Sequence, residues 1–244
     1  MSGYFYVIGG ANYEKNESLI IDLDIIKETK KDNPSILYIP IAVNDDFNKI
    51  NLFKTYYEKL GTKVEVLYSY NQELKVEEIK KMISEVDVIY LAGGLTYRLY
   101  DFAIKYNLQE MLLNAFYSGK IIAGVSAGAI LMFDYGYGDK DAYTFNLETV
   151  NHKMTKGIGI LNGVFCPHYQ NSGLLTFHEE VKRFSLNGYA VENGCALKVS
   201  AESYTVIKNK GCSAFKFDKD NLHKLQYLKE NVIYNETLIK YPRK

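Results

Sequence analysis

Lys120-Ile121-Ile122-Ala123-Gly124-Val125-Ser126-Ala127-Gly128-Ala129-Ile130-Leu131-Met132-Phe133 begins as an apolar run of strand length and ends as an apolar run that opens a helix. Between the two lies one serine framed by glycine and alanine. Strand, tight turn and helix in that order are the setting of a nucleophile elbow, in which Gly-x-Ser-x-Gly presents a hydroxyl at the tip of a strained turn. Small residues on either side keep the turn from clashing with neighbouring chain. The helix beneath offers backbone N–H groups to an oxyanion. The same glycines also allow plain close packing at a strand–helix junction, so the motif needs partners before it carries chemistry.

Outward from this turn, short runs rich in Val, Ile and Tyr alternate with polar stretches of helical length, the pattern of βαβ units and a parallel sheet. Tyr4–Gly9, Ser35–Ile39, Lys63–Tyr68, Val86–Ala92 and Lys120–Val125 read as strands. Glu17–Thr29, Asp46–Leu60 and Val76–Ser84 show apolar spacing near 3.6 and read as helices. The last third changes character: Gly157–Pro167 and Gly188–Phe217 read as shorter strands, with one helix at about Thr176–Phe184 between them. Lys208-Asn209-Lys210-Gly211 predicts a hairpin turn between Tyr204–Ile207 and Ala214–Phe217. No linker or repeat interrupts the chain, which predicts one domain over residues 1–244. The fold class is α/β, a mostly parallel central sheet flanked by helices in three layers, with a β-rich C-terminal part.

Bulk properties narrow the partners. The chain is 47% apolar and 24% charged, the balance of an ordinary globular protein. Its 29 basic and 29 acidic residues cancel, which removes the electrostatic case for nucleic acid or an anionic membrane as a partner. Cys166, Cys195 and Cys212 are odd in number and widely spaced, implying neither a disulfide framework nor a metal site. A reducing cytoplasm is the expected setting. Neither a leader pattern nor an apolar run of membrane-spanning length is expected. No cofactor is called for, and the chain is expected to act alone or as a homodimer on a small substrate.

A serine hydroxyl needs a base, and four histidines are available. His223 and His152 lie in polar stretches, and His178 falls on the expected surface of a helix. His168 differs, ending the apolar run Gly163-Val164-Phe165-Cys166-Pro167 and opening a turn. In an open parallel sheet the reactive crevice lies beyond the carboxyl ends of the strands, where Ser126 and His168 would both be placed. The orienting acid is less determined: Glu192 follows a short apolar strand, and Asp134, Asp139 and Asp141 compete soon after the elbow. Cys166, two residues before His168, is expected to be core packing.

Four stretches in order resemble the peptidase E and cyanophycinase family of serine peptidases, whose fold is similar to the class I glutamine amidotransferase domain. They are Leu91-Ala92-Gly93-Gly94-Leu95-Thr96-Tyr97-Arg98-Leu99, the Gly124–Ala129 elbow, Cys166-Pro167-His168-Tyr169, and Val191-Glu192-Asn193-Gly194-Cys195-Ala196-Leu197. The resemblance implies a triad of Ser126, His168 and Glu192, and an oxyanion hole from the N–H groups of Gly94 and Ala127. It further implies a small peptide or amide substrate, in several members an aspartyl dipeptide, with Thr96 at the pocket and Arg183 or Arg98 receiving a carboxylate. A glutamine amidotransferase itself would need cysteine where Ser126 stands. The chain departs from the family pattern at Leu95, where Asn is common, and this puts substrate identity in question.

Overall fold

The computed structural model describes residues 2–69, 74–139, 152–170 and 176–241. Its first sheet is built from β1 (Tyr4–Ile8), β2 (Ser35–Ile39), β3 (Lys63–Val66), β4 (Val88–Leu91) and β5 (Ile121–Val125), all parallel, in the order β1-β5-β4-β2-β3. These five strands and the helices α1 (Leu19–Glu28), α2 (Phe47–Lys59) and α3 (Val76–Glu85) lie where the apolar spacing predicts them. Two further helices, α4 (Thr96–Lys105) and α5 (Leu108–Tyr117), fill the stretch between β4 and β5, beyond the three expected helices. Both bury apolar stripes, with Leu99, Phe102 and Ala103 on α4 and Leu108, Met111, Leu112, Ala115 and Phe116 on α5.

The C-terminal third is where expectation and structure part. After α6 (Ala127–Met132), strands β6 (Phe133–Asp139), β7 (His152–Lys156), β8 (Leu161–Cys166) and β9 (Gly188–Val191) belong to a second sheet, with α7 (Phe177–Phe184) before β9. β10 (Cys195–Val199) and β11 (Tyr204–Lys208) instead extend the first sheet antiparallel beyond β1. β12 (Ala214–Asp218) and β13 (Asn221–Leu228) return to the second, whose order is β13-β12-β9-β8-β6-β7. The expected hairpin between 204–207 and 214–217 is therefore absent, because its two arms lie in different sheets. Its turn bonds elsewhere: Asn209 N donates to Gly194 O at 2.9 Å, and the Asn209 side chain donates to Glu17 O. Strand periodicity says which face is buried but not which neighbour completes the ladder.

One apolar cluster runs through both sheets, from Phe5, Leu37 and Ile122 to Phe165, Tyr189 and Leu228. A second, on the opposite face of the first sheet, packs Tyr6, Tyr38, Phe53 and Tyr90 under α1 and α2. Asp22 is buried in the middle of that aromatic layer with no exposed surface. It accepts from Ser18 Oγ at 2.8 Å, Tyr56 O–H at 2.8 Å and Tyr57 O–H at 2.6 Å. Burial outweighs those three bonds and pushes its carboxyl from 3.8 up to about 6.

A carboxyl with a raised folded-state pKa binds its proton more tightly in the folded chain than in the unfolded one. Its contribution to stability therefore declines as pH rises from 3.8 to about 6 and is level above that. The span corresponds to about 3 kcal/mol. Asp22→Asn is expected to remove this slope from urea-unfolding free energies measured across that window. A variant that kept the wild-type slope would place the titration on another group.

Candidate active site

Every residue from Ile121 to Phe133 is buried except Ser126. Ser126 sits at φ 53 and ψ −110, a conformation that L-residues adopt only when their surroundings enforce it. The two glycines of the motif supply that enforcement. A Cβ on Gly124 would lie 2.5 Å from Gly128 O, and one on Gly128 would lie 2.3 Å from Leu91 O. With no side chains there, β5, the turn and α6 close onto β4, and the serine hydroxyl is left at the crevice. Ser126 N donates to Ile8 O at 3.0 Å and Ser126 O accepts from Ile130 N at 2.9 Å, so both sides of the turn are held.

His168 follows β8 and also has a left-handed backbone, at φ 55. Its ring spans two partners: Nε2 lies 2.8 Å from Ser126 Oγ, and Nδ1 lies 2.6 Å from Asn193 Oδ1. An amide oxygen can only accept, so Nδ1 carries the proton and donates to Asn193. Nε2 is then the lone pair that receives the Ser126 O–H. This is the tautomer a general base requires.

The acid expected on Nδ1 was Glu192, and here the structure differs: its neighbour Asn193 occupies the place. Both residues lie in the short turn between β9 and β10, and it is Asn193 whose side chain reaches the imidazole. Glu192 is held by its backbone N–H to Ser213 O at 3.0 Å; burial pushes up the nearby Tyr169 hydroxyl and Cys212 thiol, and the Glu192 carboxylate adds to both. Asp134 is engaged elsewhere, accepting from Gly163 N at 3.0 Å and from Lys240. Asp139 is on β6, its side chain outside the described residues, as are all of Asp141 and the side chains of His152 and His223. His178 is exposed on α7. Cys166 is a fully buried core residue whose thiol burial pushes up.

The end of β1, which carries no catalytic side chain, assembles these pieces. Ile8-Gly9-Gly10, at the end of β1, offers three successive carbonyls: Ile8 O to Ser126 N, Gly9 O to His168 N at 3.2 Å, and Gly10 O to Gly194 N at 2.9 Å. Both glycines are obligatory by contact. A Cβ on Gly9 would lie 2.4 Å from Glu192 O, and one on Gly10 would lie 2.0 Å from Asn193 Oδ1 and 2.7 Å from His168 Nδ1. A glycine pair directly after the first strand was the available signal. Gly10→Ala is expected to lower kcat about 100-fold by displacing the His168–Asn193 pair, with KM little changed. A steady-state comparison with wild-type checks this, and a thermal melt establishes that the variant is folded.

Beside Ser126 opens a cavity of about 310 Å³, whose lining includes His168, Gly93, Gly94, Tyr13 and Tyr38. Gly93 lies against the nucleophile, since a Cβ there would be 3.4 Å from Ser126 Cβ. Gly94, at φ +132, is pressed against Ala42 O, which a Cβ would approach to 2.4 Å. Leu95 turns away: it is buried, and its N–H donates to Ala42 O at 2.8 Å. The family departure at this position is thus absorbed in packing. Thr96, Arg98 and Arg183 are not among the described residues lining the cavity. Arg98 is bonded to Asn44, and Arg183, on α7, is exposed and 3.7 Å from Glu180. Among the described lining residues the cation is Lys49. Among the described residues no three of His, Cys, Asp and Glu gather as metal ligands, and no helix is long and apolar enough to cross a membrane.

A strained strand–turn–helix serine bonded to an imidazole at the carboxyl edge of a parallel sheet defines a serine hydrolase of the α/β type. Residues 5–207 match the model of "Peptidase family S51", and the chain belongs to that family of peptidases. It is 29% identical over 213 residues to a protein of Bacillus subtilis (strain 168) described as "Uncharacterized peptidase YgaJ", covering 85% of this chain and 88% of that one. A crystal structure of a peptidase from an acI-B1 Actinobacterium superposes with a TM-score of 0.70 at 19% identity, covering 96% of this chain and 97% of that chain. A putative peptidase E protein from Listeria monocytogenes EGD-e gives a TM-score of 0.62 at 17% identity, covering 86% of this chain and 100% of that chain. The last two likenesses establish the shared fold, and with the family match they agree with the peptidase E-like resemblance.

Proposed function

We propose that this peptidase cleaves short peptides through an acyl-enzyme on Ser126, with His168 as general base and Asn193 as the group that holds the imidazole. The observation that carries the reading is the 2.8 Å approach of His168 Nε2 to a serine hydroxyl in an enforced elbow conformation. Ser126 Oγ attacks the scissile carbonyl carbon as its proton passes to Nε2. The N–H groups of Ala127 and of the Gly93-Gly94 turn receive the oxyanion. The intermediate collapses, the C–N bond breaks, and the amine leaves with the proton from His168. Water then repeats the sequence against the ester and frees the serine.

Asn193 in the orienting position fixes the tautomer without adding a charge, the arrangement of a Cys-His-Asn or Ser-His-Asn site. The Glu192 triad of the resemblance finds less support, because no contact joins Glu192 to the ring. Among the described residues that line the cavity, Lys49 is the cation that would meet the charge of an aspartyl dipeptide, since neither Arg183 nor Arg98 is one of them. The three free cysteines favour a reducing compartment, the cytoplasm. The test is covalent: a fluorophosphonate should add once per chain, with the adduct mapped by mass spectrometry to the peptide bearing Ser126. A folded protein that takes up no probe would refute the nucleophile.

A further inference from the structure

We infer that the cavity beside Ser126 selects a short peptide with an aromatic or long aliphatic side chain on the acyl side of the scissile bond, whose C-terminal carboxylate is met by Lys49. The inference rests on the serine-peptidase reading above and names its substrate class.

Beyond the catalytic pair and the glycine turn, the described cavity wall is Ala11, Tyr13, Tyr38, Val43, Leu52 and Val125, with Lys49 as the single charged group among the described lining residues. At about 310 Å³ the space suits a benzyl or isobutyl group with its adjoining backbone. The aromatic part of the wall is set before any ligand arrives. Tyr38 is stacked on Phe53 with centroids 3.8 Å apart and planes 11° apart. Tyr13 meets Phe53 edge-on at 5.7 Å, and its hydroxyl donates to Tyr90 O–H at 3.0 Å. Rings locked by their neighbours lose little freedom on binding, so an apolar side chain placed against them keeps most of its transfer free energy. An aspartate carboxylate in the same place would shed water largely against rings and methyl groups, and a tyrosine hydroxyl would return only part of that cost.

Lys49 does not alter that balance inside the cavity. It lies in the first turn of α2 and is exposed, so its methylene stem can run along the wall while the ammonium stays at the mouth. A carboxylate met there belongs to a part of the substrate that reaches the opening. In a dipeptide or tripeptide the free C-terminus is one or two residues from the scissile carbonyl, at about 3.5 Å per residue. A short peptide therefore places its apolar side chain within and its carboxylate at the rim.

The experiment measures kcat/KM for di- and tripeptides carrying Phe, Leu, Asp or Lys on the acyl side, each with a free or amidated C-terminus. Wild-type, Lys49→Glu and Leu52→Asp proteins are compared, both positions being exposed. Phe and Leu substrates are expected to exceed Asp by at least about tenfold. Lys49→Glu should lower turnover of free-carboxylate substrates about tenfold and leave amidated ones within about twofold. Leu52→Asp should lower the Phe and Leu rates and spare fluorophosphonate labelling. Preference for Asp, or an equal effect of Lys49→Glu on both C-termini, overturns the inference while labelling of Ser126 leaves the peptidase reading standing. Absence of both labelling and hydrolysis in every protein would overturn the two together.

Discussion

Ser126→Ala is expected to abolish peptide hydrolysis, with a loss of at least about 1,000-fold in kcat and disappearance of the fluorophosphonate adduct. The size follows from geometry. Once the hydroxyl is gone no acyl-enzyme forms, and His168 retains a base function without a nucleophile to act on. What survives is the residual stabilisation that the oxyanion donors and substrate binding provide to a direct attack by water. Stability should change little, because Ser126 bonds through its backbone to Ile8 and Ile130 and an alanine keeps both bonds. Its φ of 53 is no worse for alanine than for serine. Thermal melts and labelling separate the two effects, and an alanine variant that still turns over peptide would place the nucleophile elsewhere.

Replacing the orienting amide gives the second large effect. Asn193→Ala is expected to lower kcat on the order of 100- to 1,000-fold, because the imidazole loses the acceptor that fixes its tautomer and plane. Asn193→Asp should keep activity within about tenfold of wild-type, since a carboxylate oxygen accepts from Nδ1 as the amide oxygen does and stabilises the imidazolium besides. Glu192→Gln, one residue earlier, should stay within about twofold of wild-type. Both effects are read from kcat with KM measured alongside. The opposite ranking, a severe Glu192→Gln and a mild Asn193→Ala, would restore Glu192 as the orienting acid and remove Asn193 from the mechanism.

This pair of neighbours also marks the limit of what could be read along the chain. The α/β class, the five parallel strands, the three helices over them and the elbow at Ser126 follow from local signals: apolar period, strand length, glycine framing. His168 followed from one topological rule, that reactive groups gather at the carboxyl ends of strands, and the 2.8 Å contact to Ser126 agrees with it. The choice between Glu192 and Asn193 could not follow, because both lie in the short turn between β9 and β10, where strand alternation no longer fixes side-chain direction and the two flanking strands belong to different sheets. The hairpin expected at 208–211 failed for the same cause.

Ile8-Gly9-Gly10 shows the division most plainly. That a glycine pair follows the first strand is a fact of sequence. That its three carbonyls receive the N–H groups of Ser126, His168 and Gly194, from segments more than one hundred residues away, is a fact of tertiary structure. Local periodicity encodes which residues bury and which turn, since each depends on a few neighbours along the chain. Which strand pairs with which, and which polar group meets the imidazole, depend on contacts between distant segments. Those are decided only when the two sheets close on one core.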